Sequence, residues 1–358
     1  MGAYLSKAFG ETVNQIRLDG FEISAKLDCL DPEDSDIGMS RTIGVAIEKL
    51  TKVLAELRPD MLLLIADRYE MLAPAAVALA LRIPIAHIEG GDVSEGAIDD
   101  AVRNALTKMS HLHFTPTEEA KRRVLAMGEE SWRVVCSGAP SLDHLVRSRL
   151  PSKVELEKSL GQQLESEVCV VACHPVTLHP DTTAEISELF EALSSWTNQI
   201  VFCFPNADAG SSALVERTKA YCSERKNCRL YTNLDHLTYW SLLSNATFIL
   251  GNSSSGIMEA ASVPLPAVDI GERQRGRTRA ANVVHALSDK DEIIRAMELA
   301  TSKTFISRIK GIKNPYGDGH ASQRIISGLL NAPDKKILLE KKALPLVPNQ
   351  NTFLQNTV

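Results

Sequence analysis

Phe248-Ile249-Leu250-Gly251-Asn252-Ser253-Ser254-Ser255-Gly256-Ile257-Met258-Glu259-Ala260-Ala261 decides the fold class: an apolar run enters a Gly/Ser turn and leaves it on helical spacing. Two glycines let the backbone approach an anion. The free amides at the helix start and the hydroxyls of Ser253 and Ser254 can donate to phosphate oxygens. Glu259, about one turn into the helix, can accept both hydroxyls of a ribose. The same residues also read as a plain capped turn, since Ser is a preferred N-cap. G-x-x-x-x-G without a following Lys is not a P-loop.

Outward from this unit the strand–helix alternation repeats. Before it, Met61–Ala66, Ile83–Ile88, His111–Thr115 and Arg133–Cys136 read as strands, with Glu70–Leu81, Ile98–Met109 and Thr117–Met127 as helices between them. Leu150-Pro151-Ser152-Lys153 reads as a hinge. Beyond it Val168–Cys173, Gln199–Phe204, Cys228–Tyr231, Thr247–Leu250 and Pro264–Asp269 are predicted strands. Thr183–Trp196, Ser212–Glu224, His236–Ser244, Gly256–Ser262 and Lys290–Ala300 are predicted helices. The expectation is an α/β protein with parallel sheets covered on both faces. Residues 1–150 form one Rossmann-like domain, 151–330 a second, and 331–358 a terminal segment ending in a loose tail from about Leu346. A ligand cleft would lie between the domains, at the carboxyl ends of both sheets.

Bulk properties agree. At about 150 residues per domain, 358 residues make two domains. With 39 Lys+Arg against 45 Asp+Glu the net charge is −6, which gives no basic field to hold nucleic acid or an anionic membrane. The longest run without polar residues, Met71 to Leu81, falls far short of the roughly 18 needed to span a bilayer. The chain opens without a basic-then-apolar leader. Seven cysteines without a C-x-x-C pair indicate neither a disulfide framework nor a zinc knuckle. A reduced, cytoplasmic protein is expected. The absence of H-E-x-x-H, clustered Cys/His and G-x-G-x-x-G leaves no case for a metal or a dinucleotide cofactor.

Acidic residues gather at strand ends. Asp67-Arg68 follows the first predicted strand, Glu89-Gly90-Gly91-Asp92 the second, and Asp99-Asp100 opens the helix leading to Arg103. Convergent carboxylates suit proton abstraction beside an electron-withdrawing carbon. Against this, Asp67 could simply pair with Arg68, and either Asp of the pair could cap its helix. Glu89, before two glycines at a strand end, has no such structural use. His174, in Cys173-His174-Pro175-Val176-Thr177, would face the same cleft as acid, base or phosphate donor, with His179 and Asp181 in the same loop. His87 and His113 lie within strands and read as core. Gly271-Glu272-Arg273-Gln274-Arg275-Gly276-Arg277 offers arginine forks for phosphate or a base edge, or a solvated basic loop. Asn314-Pro315-Tyr316-Gly317-Asp318-Gly319-His320 is a tight turn that wraps a ligand or redirects the chain.

Taken together the motifs resemble the UDP-N-acetylglucosamine 2-epimerase family, and its hydrolysing branch in particular. LSKAFGET, ADRYEMLAPAAVA, IPIAHIEGGDVSEGAIDDAVRNALTKMSHLHF, SGAPSLDHL, HPVT, FPNADAGS, GNSSSGIMEA, GERQRGR and NPYGDGHAS run in family order from about residue 5 to 330. The H-I-E-G-G turn followed by I-D-D resembles the hydrolysing branch. The resemblance implies a GT-B-type architecture with a UDP-sugar in the cleft, no cofactor and no metal. It matches Ser253 and Ser254, with Asn252 and Gly256 in the same turn, to diphosphate binding. Glu259 matches the ribose-binding glutamate and Arg273 the arginine near the uracil. Asp67, Glu89 and Asp99 match the catalytic carboxylates, and His174 the active-site histidine. The implied reaction eliminates UDP across sugar carbons 1 and 2, then adds water to the glycal, giving N-acetylmannosamine from UDP-N-acetylglucosamine. A homo-oligomer is also implied.

The resemblance carries two departures. Family members begin with a strand and a T-R-A-D-Y-like turn that this chain lacks, and Tyr4 stands where the family has His. The absence of a central strand would uncover the edges and apolar surface of its neighbours and remove a phosphate contact. Two other readings stand beside the first: the same reaction on a 2,4-diacetamido-6-deoxy UDP-sugar of the legionaminic acid type, and a non-catalytic nucleotide-sugar binder.

Overall fold

The computed structural model describes residues 1–6, 11–33, 35–65, 67–95, 97–176, 185–204 and 211–343. His179, Asp181, most of the FPNADAGS stretch and the tail lie outside the described residues. Ten strands form two sheets among those described: β1 Leu62–Ile65, β2 Ile85–Ile88, β3 Leu112–Thr115, β4 Val134–Cys136, β5 Val168–Val171, β6 Gln199–Phe204, β7 Cys228–Thr232, β8 Phe248–Gly251, β9 Ala267–Ile270 and β10 Val283–Ala286. The first sheet has the order β1-β2-β3-β4, the second β10-β9-β8-β5-β6-β7, and all their pairings are parallel. This is the α/β architecture expected from the alternation.

Parallel strands covered on both faces are apolar throughout. β2, β3, β5, β6, β8 and β9 are buried along their whole length. β1 is an edge strand, paired on one side only among the described residues, with Leu63 49% and Ile65 51% exposed. β10, unpredicted from sequence, is the opposite sort of edge: Val283-Val284-His285-Ala286 is short and only partly buried.

The largest unpredicted element is the helix Asp36–Leu57. Ser35 caps it by accepting from the Gly38 amide at 3.1 Å. It buries Gly38, Thr42, Ala46, Leu50 and Leu54, one residue every four, against the first sheet's core. Near the start of the chain lie a 3₁₀ turn, Gly2–Leu5, and a helix, Val13–Leu18. Glu70–Leu81 begins as a 3₁₀ turn, Tyr69–Met71, before the helix Leu72–Ala80. Cys222 and Cys228 form a disulfide between the helix Ser211–Ser223 and β7, with Cα atoms 5.0 Å apart. This corrects the expectation of seven free cysteines: only five residues lie between the pair, and the chain between them brings one back to the other.

The two halves interlock. Ala139 and Leu142 pack in the core of the second sheet. The helix Ala321–Leu330 and Leu338 return to the first sheet, where Ala321, Ile325 and Leu338 cover Ala86, Ile88, Leu112 and Phe114. Gly328 lies on Phe114, where a Cβ would sit 2.5 Å from the ring. Asp143 caps the returning helix by accepting from the amides of Ala321 and Ser322 at 2.8 and 2.7 Å. Arg133, 1% exposed, donates to the carbonyls of His111, Leu338, Ile337 and Glu340. Lys341 reaches Glu129, which also binds Lys108 and His113. His87 and His113 are fully buried, as their strand positions imply.

Candidate active site

In the second sheet the strand order reverses at β5, which lies between β8 and β6. Ligands in open α/β sheets sit at such a switch point, beyond the carboxyl ends of the strands. His174 follows β5 there, and Asn252–Ser255 follow β8, whose last residue is Gly251. Gly251 has φ +135°, and a Cβ on it would lie 2.2 Å from the Ala172 carbonyl. Only glycine lets the two strand ends come this close. Asn252 clamps them: its Oδ1 accepts from the His174 amide at 2.7 Å and its Nδ2 donates to the His174 carbonyl at 2.9 Å. The His174 ring lies 3.3 Å from Ser253 Oγ. The helix after the turn, Ser255–Met258, is a single turn that includes Gly256, and Glu259 closes it rather than lying within it. Glu259 accepts from Ser141 at 2.7 Å, and burial raises its carboxyl against the hydrogen bonds from Ser141 and Ser255.

A cavity of about 360 Å³ opens above this turn, walled by Ser253, Ser254, Glu259, His174, Phe204 and Tyr239. His144 and His236 add a stacked pair, ring centroids 4.0 Å apart. Nothing in the sequence announced that pair, because its members lie far apart in the chain and each opens a different helix.

Across the cleft, the carboxylates follow β1 and β2. Asp67 pairs with Arg103 rather than with Arg68, which donates to Glu70 at 2.8 Å instead. Burial alone would raise Asp67, but Arg103, Arg277 and Arg273 outweigh it and hold the carboxyl below its usual range. Glu89 sits at φ +68°, a left-handed backbone rare for a side-chain-bearing residue. Gly91 beside it has φ +76° and no room for a Cβ, 2.3 Å from the Ala120 carbonyl. Strain of this kind collects at functional sites. Burial, then the Asp67 charge, pushes Glu89 up to about 7 while Arg277 opposes the rise. Asp99 lies 3.6 Å from Arg273, whose other nitrogen donates to the Asn252 carbonyl at 3.3 Å. Asp100 does not cap its helix; it accepts from the Ser94 amide at 2.8 Å and meets Arg103 at 3.3 Å.

Three groups here had no individual role assigned from the sequence. Arg277 is nearly buried and ion-pairs with Asp92 at 3.3 Å. Ser94 accepts from Arg103 at 2.9 Å. Tyr316, fully buried, brings its ring under the cluster. Arg277 was one of three arginines in a short loop, and a lone serine or tyrosine carries no signal by itself. No group of residues able to hold a metal occurs among those described, and no described helix is long and apolar enough to cross a membrane.

The sequence profile of the UDP-N-acetylglucosamine 2-epimerase family matches residues 1–330. The GDP/UDP-N,N'-diacetylbacillosamine 2-epimerase (hydrolyzing) of Campylobacter jejuni is 35% identical over 348 residues, 96% of this chain and 90% of that protein. The UDP-N,N'-diacetylbacillosamine 2-epimerase (hydrolyzing) of Legionella pneumophila is 33% identical over 343 residues, 95% of this chain and 89% of that protein. The crystal structure of UDP-GlcNAc 2-epimerase from Neisseria meningitidis bound to UDP-GlcNAc superposes with a TM-score of 0.78 at 23% identity, covering 90% of this chain and 89% of that one. Its likeness makes the fold GT-B, two Rossmann-like sheets facing a cleft. With a family match across more than nine-tenths of its length, the chain belongs to the UDP-N-acetylglucosamine 2-epimerase family.

Proposed function

We propose that the chain is a hydrolysing 2-epimerase of a UDP-linked 2-acetamido sugar. What supports this most is Glu89, raised to about 7 and within electrostatic reach of Glu259, which walls the cavity above the Gly/Ser turn. Ser253, Ser254, Asn252 and Gly256 hold the diphosphate beside His174, and Glu259 takes the ribose. Glu89 is the base. A base titrating near the working pH combines the right protonation state with useful basicity. It removes the proton from sugar carbon 2; the electron pair forms the carbon 1–carbon 2 double bond as the carbon 1–oxygen bond breaks and UDP leaves. Charge on the departing diphosphate is met by the turn's donors and by Arg273. Water then adds its hydroxyl to carbon 1 and a proton to the opposite face of carbon 2, inverting that centre. Asp67 and Asp99 lie at the same cleft to deliver or relay these protons.

The sugar we propose is a 2,4-diacetamido-6-deoxy hexose, ahead of N-acetylglucosamine. The two relatives at 35% and 33% identity, both named for diacetylbacillosamine, support this order. A cytoplasmic enzyme working as a homo-oligomer accords with a UDP-sugar substrate. Proton NMR in heavy water with each UDP-sugar tests the reading. Free UDP with the 2-epimeric sugar deuterated at carbon 2 is expected from the diacetamido substrate. UDP release from UDP-N-acetylglucosamine alone would reverse the order of substrates, and UDP binding without release from either would leave a binder only.

A further inference from the structure

We propose that Arg277 is a positioning residue that carries closure of the cleft to the catalytic carboxylates, so that the base is favoured when the two halves meet. Arg277 stands on the loop after β9, in the second half, and reaches into the first. Its Nε donates to the Val93 carbonyl at 2.9 Å, one terminal nitrogen meets Asp92 at 3.3 Å, and the other donates to Ser94 Oγ at 3.4 Å. Ser94 Oγ is shared: Arg103 donates to it at 2.9 Å and also holds Asp67. One hydroxyl therefore joins an arginine from each half, and through Arg103 the chain of contacts ends on a catalytic carboxylate.

The rest of the loop is shaped for this contact. Gly276 has φ +84° and sits so close to Val93 that a Cβ would fall 2.5 Å from its methyl. Arg275 pairs with Glu95 at 2.5 Å, the Glu95 amide donates to the Arg275 carbonyl at 3.4 Å, and Arg123 donates to the Gly276 carbonyl at 3.3 Å. Near the pair, Asp92 Oδ1 and the Tyr316 hydroxyl are both buried without a hydrogen-bond partner among the described residues. Two orphaned groups near one ion pair mark a site held by electrostatics more than by satisfied hydrogen bonds.

In this proposal the loop withdraws as substrate enters between the halves and docks again behind it. Withdrawal removes the cation that most opposes the rise of Glu89, against the charges of Asp67, Glu259 and Asp92. Other ionisable groups facing this contact include Asp99, Asp100 and Arg103 on one helix, Arg273 and Arg275 on the same loop as Arg277, Glu95 and Arg123 opposite them, and His174. Docking of Arg277 favours the ionised form of Glu89, and its withdrawal favours the protonated one. The base is thereby favoured in the closed form.

This rests on the epimerase reading, and the test separates the two. In Arg277→Gln and in Gly276→Ala, the acidic limb of the kcat profile for UDP release is expected to move up by about one pH unit or less, as loss of a nearby cation dictates. Arg277→Lys, which keeps the charge, restores most of the limb's position. UDP affinity by calorimetry stays within about threefold of wild type, under 1 kcal/mol. A limb that stays at the wild-type pH in both variants overturns the proposal, as does loss of UDP affinity in Arg277→Gln with no movement of the limb. Gly276→Ala keeps every charge, so it serves if Arg277→Gln fails to fold. Should wild type release no UDP from either sugar, the epimerase reading fails, and amide exchange decides alone. Exchange at residues 91–95 about tenfold faster in Arg277→Gln supports the latch, and unchanged exchange overturns it.

Discussion

Glu89 should make the protein less stable, and removing its charge should show it. A carboxyl raised from 4.5 to about 7 keeps a proton in the folded state that the unfolded chain has already lost. Below pH 4.5 both states are protonated and the group is neutral in its effect. Between 4.5 and 7 the folded state binds more protons, so stability falls as pH rises. Above 7 the loss is complete, about 3 kcal/mol at about 1.4 kcal/mol per tenfold. Glu89→Gln is neutral at every pH and escapes this cost. Relative to wild type it should gain about 1 kcal/mol at pH 5.5 and about 3 kcal/mol at pH 8.5, while UDP release disappears at both. Urea unfolding followed by circular dichroism at the two pH values measures the difference. A gain of equal size at both pH values, or a loss at pH 8.5, would refute the reasoning, because the effect would then come from packing or hydrogen bonding rather than from a buried charge.

Two further outcomes follow from the geometry. Gly251→Ala places a methyl 2.2 Å from the Ala172 carbonyl, so the turn must open; UDP affinity should fall by at least about tenfold, read by calorimetry. Asp143→Ala strips two charge-assisted bonds from the start of the helix Ala321–Leu330 and should cost about 1–2 kcal/mol, read as a lower urea midpoint.

The parallel strands were legible because they are buried on both faces: Gln199–Phe204 and the helix His236–Ser244 end where their composition changes. Three kinds of element were not. The helix Asp36–Leu57 hides its stripe, since Gly38, Thr42 and Ala46 face inward while Ile37, Val45 and Ile47 face water. β10 is a half-buried edge, so its run of apolar residues is short. The return of residues 321–342 to the first sheet depends on pairings such as Arg133 with the carbonyls of Leu338 and Glu340, about two hundred residues apart in the chain, and no local pattern encodes these. At the site, the acidic strand ends and the Gly/Ser turn announced themselves by residue type. Arg103, Ser94 and Arg277 did not: what distinguishes them is shared partners, and partners are a property of the fold.

The returning helix also sets a timetable. The face made by Ala86, Ile88, Leu112 and Phe114 is complete once β3 is made, yet its cover, Ala321, Ile325 and Leu338, comes roughly two hundred residues later. At the usual 5–20 residues per second of synthesis, the first sheet waits about 10–40 seconds with that surface open. A nascent chain of this protein therefore offers a binding surface for chaperones throughout the making of its second half, and the last twenty or so residues described are what releases it.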